Sequence, residues 1–453
     1  MPRHSVAMTA QTADDLRKHL IRVDGDEDLC FATYSTSTGA TRTTYVLTSV
    51  VLPEHGERDV HGNASFTGDF VLRAADIASS RGEGIALLHS HPDGRGWQGI
   101  SHWDRDAESS YANLALGLTG SPLLGLTLAG ADMTWSARAW LDANEPMWAE
   151  NVRVVGRSLR VSWNNRLRPP AAATVFQDRT VSAWGDAVQD DITRLRVLVV
   201  GVGSVGLDVA SRLAATGLTH VGVMDMDCVE EVNLDRMIGA TREDAAQRTP
   251  KAEVAKRLME SASTAHEADS AAYVSSVTTA EGIAIARDYD LVFSCVDRAW
   301  PRAMLNQLAY SDLIPVIDGG IGIDVFDDGT MRGATWRVQT ATPGLPCLQC
   351  NHQLDMGEVQ KERLGLAEDP EYIKRSGRGR HQRQNVAILA ASVSAGQLAQ
   401  FVSLVVEPGG EGVPLPQRYL LGPHIQEPLH HATGPYCRFE AEIGEGDRRL
   451  GLL

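Results

Sequence analysis

His89 and His91 stand two residues apart, and Ser101 and Asp104 follow within the same stretch, HSHPDGRGWQGISHWD. The apolar run IALL before them reads as a buried strand. Alternate strand positions share a face, so both imidazoles point the same way. Two imidazoles and a carboxylate supply three ligands and leave a fourth tetrahedral position for water, as a catalytic zinc requires. Further along, Gly201-Val-Gly203-Ser-Val-Gly206 follows VLVV and opens a helix. Glycines there allow a tight turn and let phosphates approach backbone amides at a helix N-terminus. Asp225, 19 residues past Gly206 at the end of the next strand, suits a ribose hydroxyl. By itself that pattern serves NAD equally well, so an oxidoreductase competes at this point.

The following residues favour a triphosphate. VMDMDCVEEVNLDRM gathers Asp225, Asp227, Asn233 and Arg236, with Lys251 downstream. A triphosphate with magnesium draws cations and carboxylates to one spot, whereas a dinucleotide spreads its charge. Asp297, in FSCVDRAWPR at the end of another strand, is well placed for magnesium.

These groups need two kinds of scaffold. Residues 1–165 read as a mixed α/β unit: TADDLRKHL and WDRDAESSYANLALGL as helices, LCFATYST, TTYVLTSVVL, GIALLHS, MTWSARAWL and VRVVGRSLRV as strands. A linker, 166–190, holds a proline pair and Arg179. In 191–453, strands alternate with helical segments, the mark of a mostly parallel, doubly wound sheet. Residues 351–384 read as a long loop with some helix, and the C-terminal forty or so residues as short strands.

The chain has 453 residues and a net charge of −16, so two or three domains are expected and nucleic acid is disfavoured as a partner. Scattered cysteines argue against a disulfide framework, and MPRHSVAMTAQTADDLRKHL has no apolar core of signal-peptide length, so a cytoplasmic location is expected. QNVAILAASVSAGQLAQFVSLVV carries no charge, but its Asn, Ser and Gln residues favour a buried or subunit-interface helix over a membrane span.

On the residues FQDRTVSAWGDAVQDDITRLRVLVVGVGSVG, DMDCVEEVNLDR and SCVDRAWPRAMLN, the second half resembles the ThiF/MoeB-like, ubiquitin-activating superfamily of adenylyltransferases. The resemblance implies that ATP is attacked by the C-terminal glycine carboxylate of a ubiquitin-like protein. It further implies that Asp225 holds the ribose, Arg236 and Lys251 neutralise phosphates, Asn233 supports that region, Asp297 holds magnesium, and Arg179 reaches the ATP of a second subunit in a homodimer. The string His-x-His-Pro…Ser-x-x-Asp at His89, His91, Pro92, Ser101 and Asp104 is similar to the JAMM/MPN (JAB) zinc deubiquitinases. That likeness implies zinc on the two histidines and Asp104, Ser101 stabilising the tetrahedral intermediate, and an upstream glutamate as general base. Glu27 in GDEDLCFATY is the best match, with Asp26, Asp28, Glu54 and Glu57 competing. The two likenesses together imply an N-terminal JAB/MPN-like domain followed by a Rossmann-like adenylyltransferase domain, both acting on one tail, as in prokaryotic ubiquitin-like conjugation.

PCLQC adds Cys347 and Cys350, and Cys437 follows His430 and His431. Two readings stay open. Three cysteines and one of those histidines complete a structural zinc, or Cys350 (alternatively Cys347) receives the ubiquitin-like protein as a thioester before passing it to a conjugating-enzyme-like acceptor. The alternatives for the whole chain are sulfur-carrier activation, an NAD-binding oxidoreductase and a non-catalytic scaffold.

Overall fold

The computed structural model describes residues 3–142, 144–366, 384–410, 412–429 and 432–449. They form two compact units. The first takes residues 1–169 together with Ser311–Leu313 and Glu442–Leu450, and the second takes most of the remainder. A single cut near residue 165 is therefore too simple. The segment near the C-terminus belongs to the first unit, where Asp447 accepts the Thr38 hydroxyl at 2.6 Å and Arg448 pairs with Glu83 at 2.6 Å.

The first unit is built on a nine-stranded mixed sheet. Its centre runs Arg3–Thr9, Arg42–Val51, Leu29–Thr38, Gly84–His91, Leu123–Ala129 and Trp135–Trp140. Helix Ala10–Leu20 buries Leu16 and Leu20 with Val6, Met8, Leu47 and Leu88 on one face. Helices Gly68–Ser80 and His102–Thr119 cover the other face, where Phe70, Ala74 and Ala112 meet Phe31, Leu87 and Trp140. Period-two alternation along Gly84–His91 sends Ala86 and Leu88 to the first face and Ile85 and Leu87 to the second. His89 and His91 continue the second set, on the side of helix His102–Thr119.

The second unit carries an eight-stranded sheet. Asp269–Tyr273, His220–Met224, Arg196–Val200, Leu291–Ser294 and the start of Val316–Val325 are parallel. Beyond it, Met331–Ala341, Gln417–Leu420 and Ile425–Pro428 extend the sheet in antiparallel fashion. The first strand in chain order, Arg196–Val200, lies between a strand reached directly and one reached only after the chain doubles back. The sheet thus has a topological switch point between Arg196–Val200 and Leu291–Ser294, where such folds open a crevice at the carboxyl ends of the strands.

Helix Ala387–Val406 is long and apolar enough to cross a membrane by length and composition. Its inner side faces the second sheet. There Gln397 Nε2 donates to Ser294 O at 3.1 Å and Ile317 O at 3.0 Å, and Gln400 bonds Thr340 and Leu415. Two expectations hold in part. Among the described residues of the C-terminal forty there are two short strands, followed by 3₁₀ segments at Glu440–Glu442 and Gly446–Arg448. Of the 351–384 stretch, Met356–Arg363 is a helix, while 367–383 lies outside the described residues.

Candidate functional site

In the first unit, the strand end and the helix start bring His89, His91 and Asp104 together, with ligand atoms within 4.8 Å of one another. Asp104 Oδ2 lies 3.6 Å from His89 Nε2 and 3.8 Å from His91 Nε2. Zinc bonds near 2.0–2.1 Å set tetrahedral ligand atoms about 3.4 Å apart, so the donor set fits that ion. Ser101 is the N-cap of helix His102–Thr119. Its hydroxyl donates to Asp104 Oδ2 at 2.7 Å and accepts the Asp104 N–H at 3.1 Å, a capping box that fixes the carboxylate.

The surroundings act differently on the two imidazoles: burial lowers His89, whereas the Asp104 hydrogen bond raises His91. Gln98 Nε2 donates to the carbonyls of Arg95 and Gly96 at 2.9 and 3.0 Å, which leaves Gln98 Oε1 as the acceptor for His91 Nδ1 at 3.2 Å. That bond favours a proton on Nδ1, and Nε2 faces the Asp104 carboxylate. Burial pushes His89 down to about 3; Asp104 opposes the shift and the Arg138 charge adds to it, so the imidazole is neutral, as a ligand must be. Thr127 Oγ1 stands 3.4 Å from His89 Nε2 and accepts from Arg138 Nη1 at 3.0 Å. Arg138 is paired in turn with the fully buried Glu108.

Glu27 is half-buried, and its carboxyl is raised by burial within the field of His91 and Asp104. Two of its rivals are engaged elsewhere. Glu57 holds Arg73 at 2.6 Å, and Asp28 is held by Arg58 and by Arg22 at 3.2 Å. Asp28 also anchors Glu27 to the histidine strand, since its N–H donates to Ser90 Oγ and its carbonyl accepts the Ser90 N–H, both at 3.0 Å.

In the second unit, the carboxyl edge of the sheet gathers the nucleotide residues. Gly201 has φ +85°, and a Cβ there would lie 2.7 Å from Cys295 O, so the glycine loop and the segment before Asp297 touch across the switch point. Gly206 packs helix on loop, while Gly203 faces open space at the helix N-cap. Asp225 accepts the N–H groups of Val202 and Asp227, each at 2.8 Å, and pins the loop to the strand end. Burial raises its carboxyl. Lys251, expected to face phosphate, rests on Asp227 at 2.9 Å and must exchange partners when a ligand arrives. Arg236 donates to Val232 O and to Asp235 at 2.8 Å. Asn233 is buried and caps the turn through Glu230 N–H at 3.0 Å. Asp297 is exposed just beyond Leu291–Ser294, where an oxygen ligand for magnesium is in reach of the loop. Arg179 is exposed on helix Asp178–Trp184.

The sequence gives no reason to pair Arg302, Asp318 and Arg337. Yet Asp318, fully buried in the next strand, binds Arg302 at 3.1 Å and Arg337 at 2.5 Å. The only local hint is an arginine five residues after Asp297.

Cys347, Cys350 and Cys437 also converge within 4.8 Å. Cys347 and Cys437 sulfurs lie 3.5 Å apart, close to the roughly 3.8 Å that zinc–sulfur bonds of about 2.3 Å dictate. Backbone N–H groups of Cys350 and Gly434 point at the sulfurs of Cys347 and Cys350, at 3.4 and 3.3 Å. With Cys347 fully buried, the cluster suits a structural ion better than a nucleophile. His430 and His431 lie outside the described residues.

A parallel sheet with a glycine turn, an acid on the neighbouring strand and a site at the switch point defines a nucleotide-binding, Rossmann-like α/β protein. The chain belongs to the ThiF family, whose profile matches residues 177–418, more than half of its length. Among curated relatives, the sulfur carrier protein adenylyltransferase of Thermus thermophilus is 32% identical over 171 residues, 37% of this chain and 58% of that protein. The NEDD8-activating enzyme E1 catalytic subunit of Arabidopsis thaliana is 29% identical over 202 residues, 41% of each chain. The sulfur carrier protein ThiS adenylyltransferase of Bacillus subtilis is 28% identical over 167 residues, 37% of this chain and 46% of that one. The chain spans about half the length of these relatives.

Proposed function

We propose that the second unit is an ATP-dependent adenylyltransferase acting on the C-terminal glycine carboxylate of a small sulfur-carrier or ubiquitin-like protein. The observation that carries this reading is the contact of the glycine loop with the Cys295–Asp297 segment across the switch point, with Asp225 on one side and Asp297 on the other. Asp225 receives the ribose, the loop amides meet the phosphates, and Asp297 holds magnesium, which neutralises charge on the leaving group when bound. A carboxylate oxygen of the protein substrate attacks the α-phosphorus. The bond from that phosphorus to the β-phosphate bridging oxygen breaks, and pyrophosphate departs. Lys251 leaves Asp227 to meet the phosphates. Two of the three relatives described act on sulfur carriers by name, which favours thiocarboxylate formation as the fate of the adenylate over conjugation to lysine.

ATP–pyrophosphate exchange that depends on a glycine-tailed carrier protein tests this. Exchange lost in Asp297→Asn supports it. NAD binding without exchange would replace it with the oxidoreductase reading.

The first unit supports a second reading, a zinc-dependent hydrolase of the JAMM type that cuts after the same kind of tail. What favours it is geometric: two histidines and a carboxylate with ligand atoms at zinc-like spacing, and a buried His89 held neutral. A bound zinc supplies an acidified water. Glu27 takes its proton, and Ser101 holds Asp104 in place. Cleavage of a fusion carrying a few residues beyond the terminal glycine, abolished by Glu27→Gln with zinc still bound, is the corresponding test.

A further inference from the structure

Read across the second sheet, the carboxyl edge presents Asp225, then the glycine loop, then Asp297, and then Asp318 and Arg337 on the next two strands. Asp318 sits at the last parallel register position, opposite Ser294. Its carboxylate accepts Ser294 Oγ at 2.6 Å, Arg302 Nε at 3.1 Å and Arg337 Nη1 at 2.5 Å. One carboxylate between two guanidinium groups leaves a positive charge in excess. Charges removed from water this far are retained only where something compensates them.

The spare donors are available. Arg302 Nη2 donates to Val296 O at 2.5 Å, the residue just before Asp297. Arg302 Nη1 and Arg337 Nη2 have no partner among the described residues, and neither is a sealed, unsatisfied atom. Facing Arg337 across the strand pair is Gly320. A Cβ on Gly320 would come 3.4 Å from Arg337 Nη2, while one on Gly322 would meet nothing within 4 Å. Gly320 thus brings no side chain against the Arg337 guanidinium group, which leaves that side open to a chain end.

We infer that Arg302 and Arg337, aligned by Asp318, bind the C-terminal carboxylate of the protein substrate beside the α-phosphate, which makes them the residues that select a free carboxyl terminus. This rests on the adenylyltransferase reading. A planar fork suits a carboxylate, which accepts two parallel N–H bonds. Once the carboxylate oxygen has bonded to phosphorus and pyrophosphate has left, the acyl group no longer carries that charge, so the arginines hold substrate more strongly than product.

A phosphate of ATP is the other anion within reach, and the test separates the two. A peptide ending in glycine, as free acid and as C-terminal amide, is titrated onto the full chain and onto Arg337→Gln, Arg302→Gln and Arg337→Lys, with ATP titrated in parallel. Wild type is expected to prefer acid over amide by about 10- to 100-fold, the range for a charge-assisted pair. Each glutamine variant loses most of that ratio while its ATP Kd stays within about threefold of wild type, and the lysine variant keeps part of it. The ratio is internal to each variant, so partial misfolding does not imitate its loss. An unchanged ratio, no preference in wild type, or loss of ATP affinity in place of the ratio overturns the inference. Failure of wild type to bind ATP would instead remove the adenylyltransferase reading itself.

Discussion

Gly203 and Gly206 belong to one loop but stand under opposite constraints, and replacing each with alanine separates packing from ligand binding. A Cβ on Gly206 would lie 2.0 Å from Gly201 O and 3.2 Å from Cys295 Cβ. Carbon contacts normally settle near 3.5 Å or more, so the loop must shift by about 1.5 Å. Gly201 has no slack, because its positive φ and the neighbouring Cys295 carbonyl hold it. Overpacking of this kind costs about 1–3 kcal/mol, which lowers Tm by roughly 2–12 °C for a unit of this size. The displaced amides also lose their aim at phosphate. A Cβ on Gly203 meets nothing within 4 Å, and its φ of −72° is open to alanine. The cost to the fold is about 1 kcal/mol or less, that of an N-cap lacking a polar side chain. The methyl group nevertheless enters the space the phosphates need, so ATP affinity is expected to fall at least about tenfold. Thermal melts with and without magnesium ATP, together with ATP titrations, read both effects. A Gly203→Ala variant that binds ATP like wild type would refute the phosphate-cradle assignment.

Metal analysis of purified chain is expected to find two zinc ions, one lost in His91→Ala and the other in Cys347→Ala; an ion retained in either variant removes that donor set. Pyrophosphate exchange should fall about 100- to 1,000-fold in Lys251→Ala, with ATP affinity weakened in the same direction. Glu108→Gln leaves the fully buried Arg138 without its carboxylate and is expected to cost about 3–5 kcal/mol in urea unfolding, whereas Thr127→Val removes only the neutral acceptor of Arg138 Nη1 and should cost about 1–3 kcal/mol. Arg257 first, and then the Thr241 cap, hold the Asp244 carboxyl well below its usual 3.8. A depressed carboxyl adds stability above its unfolded value and loses it as pH falls through the folded one. The second unit should therefore soften below about pH 4, and Asp244→Asn should be weaker at neutral pH but flatter in that acid window.

Much of both sites is local in sequence, which is why it was legible. His89 and His91 share a face through period-two alternation, and Ser101 and Asp104 are the N-cap and third position of one helix start. The glycine loop and Asp225 sit on consecutive elements. The strands of both sheets follow runs of apolar residues, and so were readable, but the attachment of residues 442–449 to the first unit depends on Asp447 and Arg448 finding Thr38 and Glu83 far away in the chain. No period or spacing encodes that. Likewise Lys251 was readable as a cation, but its resting partner Asp227 follows from a loop conformation.

The groups that tune the two sites follow a different rule. Thr127 faces His89 because Leu123–Ala129 pairs with Gly84–His91 in one register, and Arg138 lies opposite Gly125 in the next. Gly125 itself is explained only by the helix above it, since a Cβ there would fall 2.3 Å from a Glu108 carboxylate oxygen. A slip of one residue in either pairing would send Thr127 or Arg138 to the opposite face. In the second unit, Asp318 meets Arg302 and Arg337 because Val316–Val325 pairs parallel with Leu291–Ser294 on one edge and antiparallel with Met331–Ala341 on the other, a junction no short motif announces. In each unit the candidate site residues are set by local spacing, whereas a buried carboxylate, Glu108 or Asp318, holds arginines from distant elements: Arg138 from a strand in the first case, Arg302 from a helix and Arg337 from a strand in the second. Glu108 explains why Gly125 stays small, and both carboxylates hold the aim of their arginines. Replacing either acid should therefore disturb the chemistry through geometry before it disturbs it through charge.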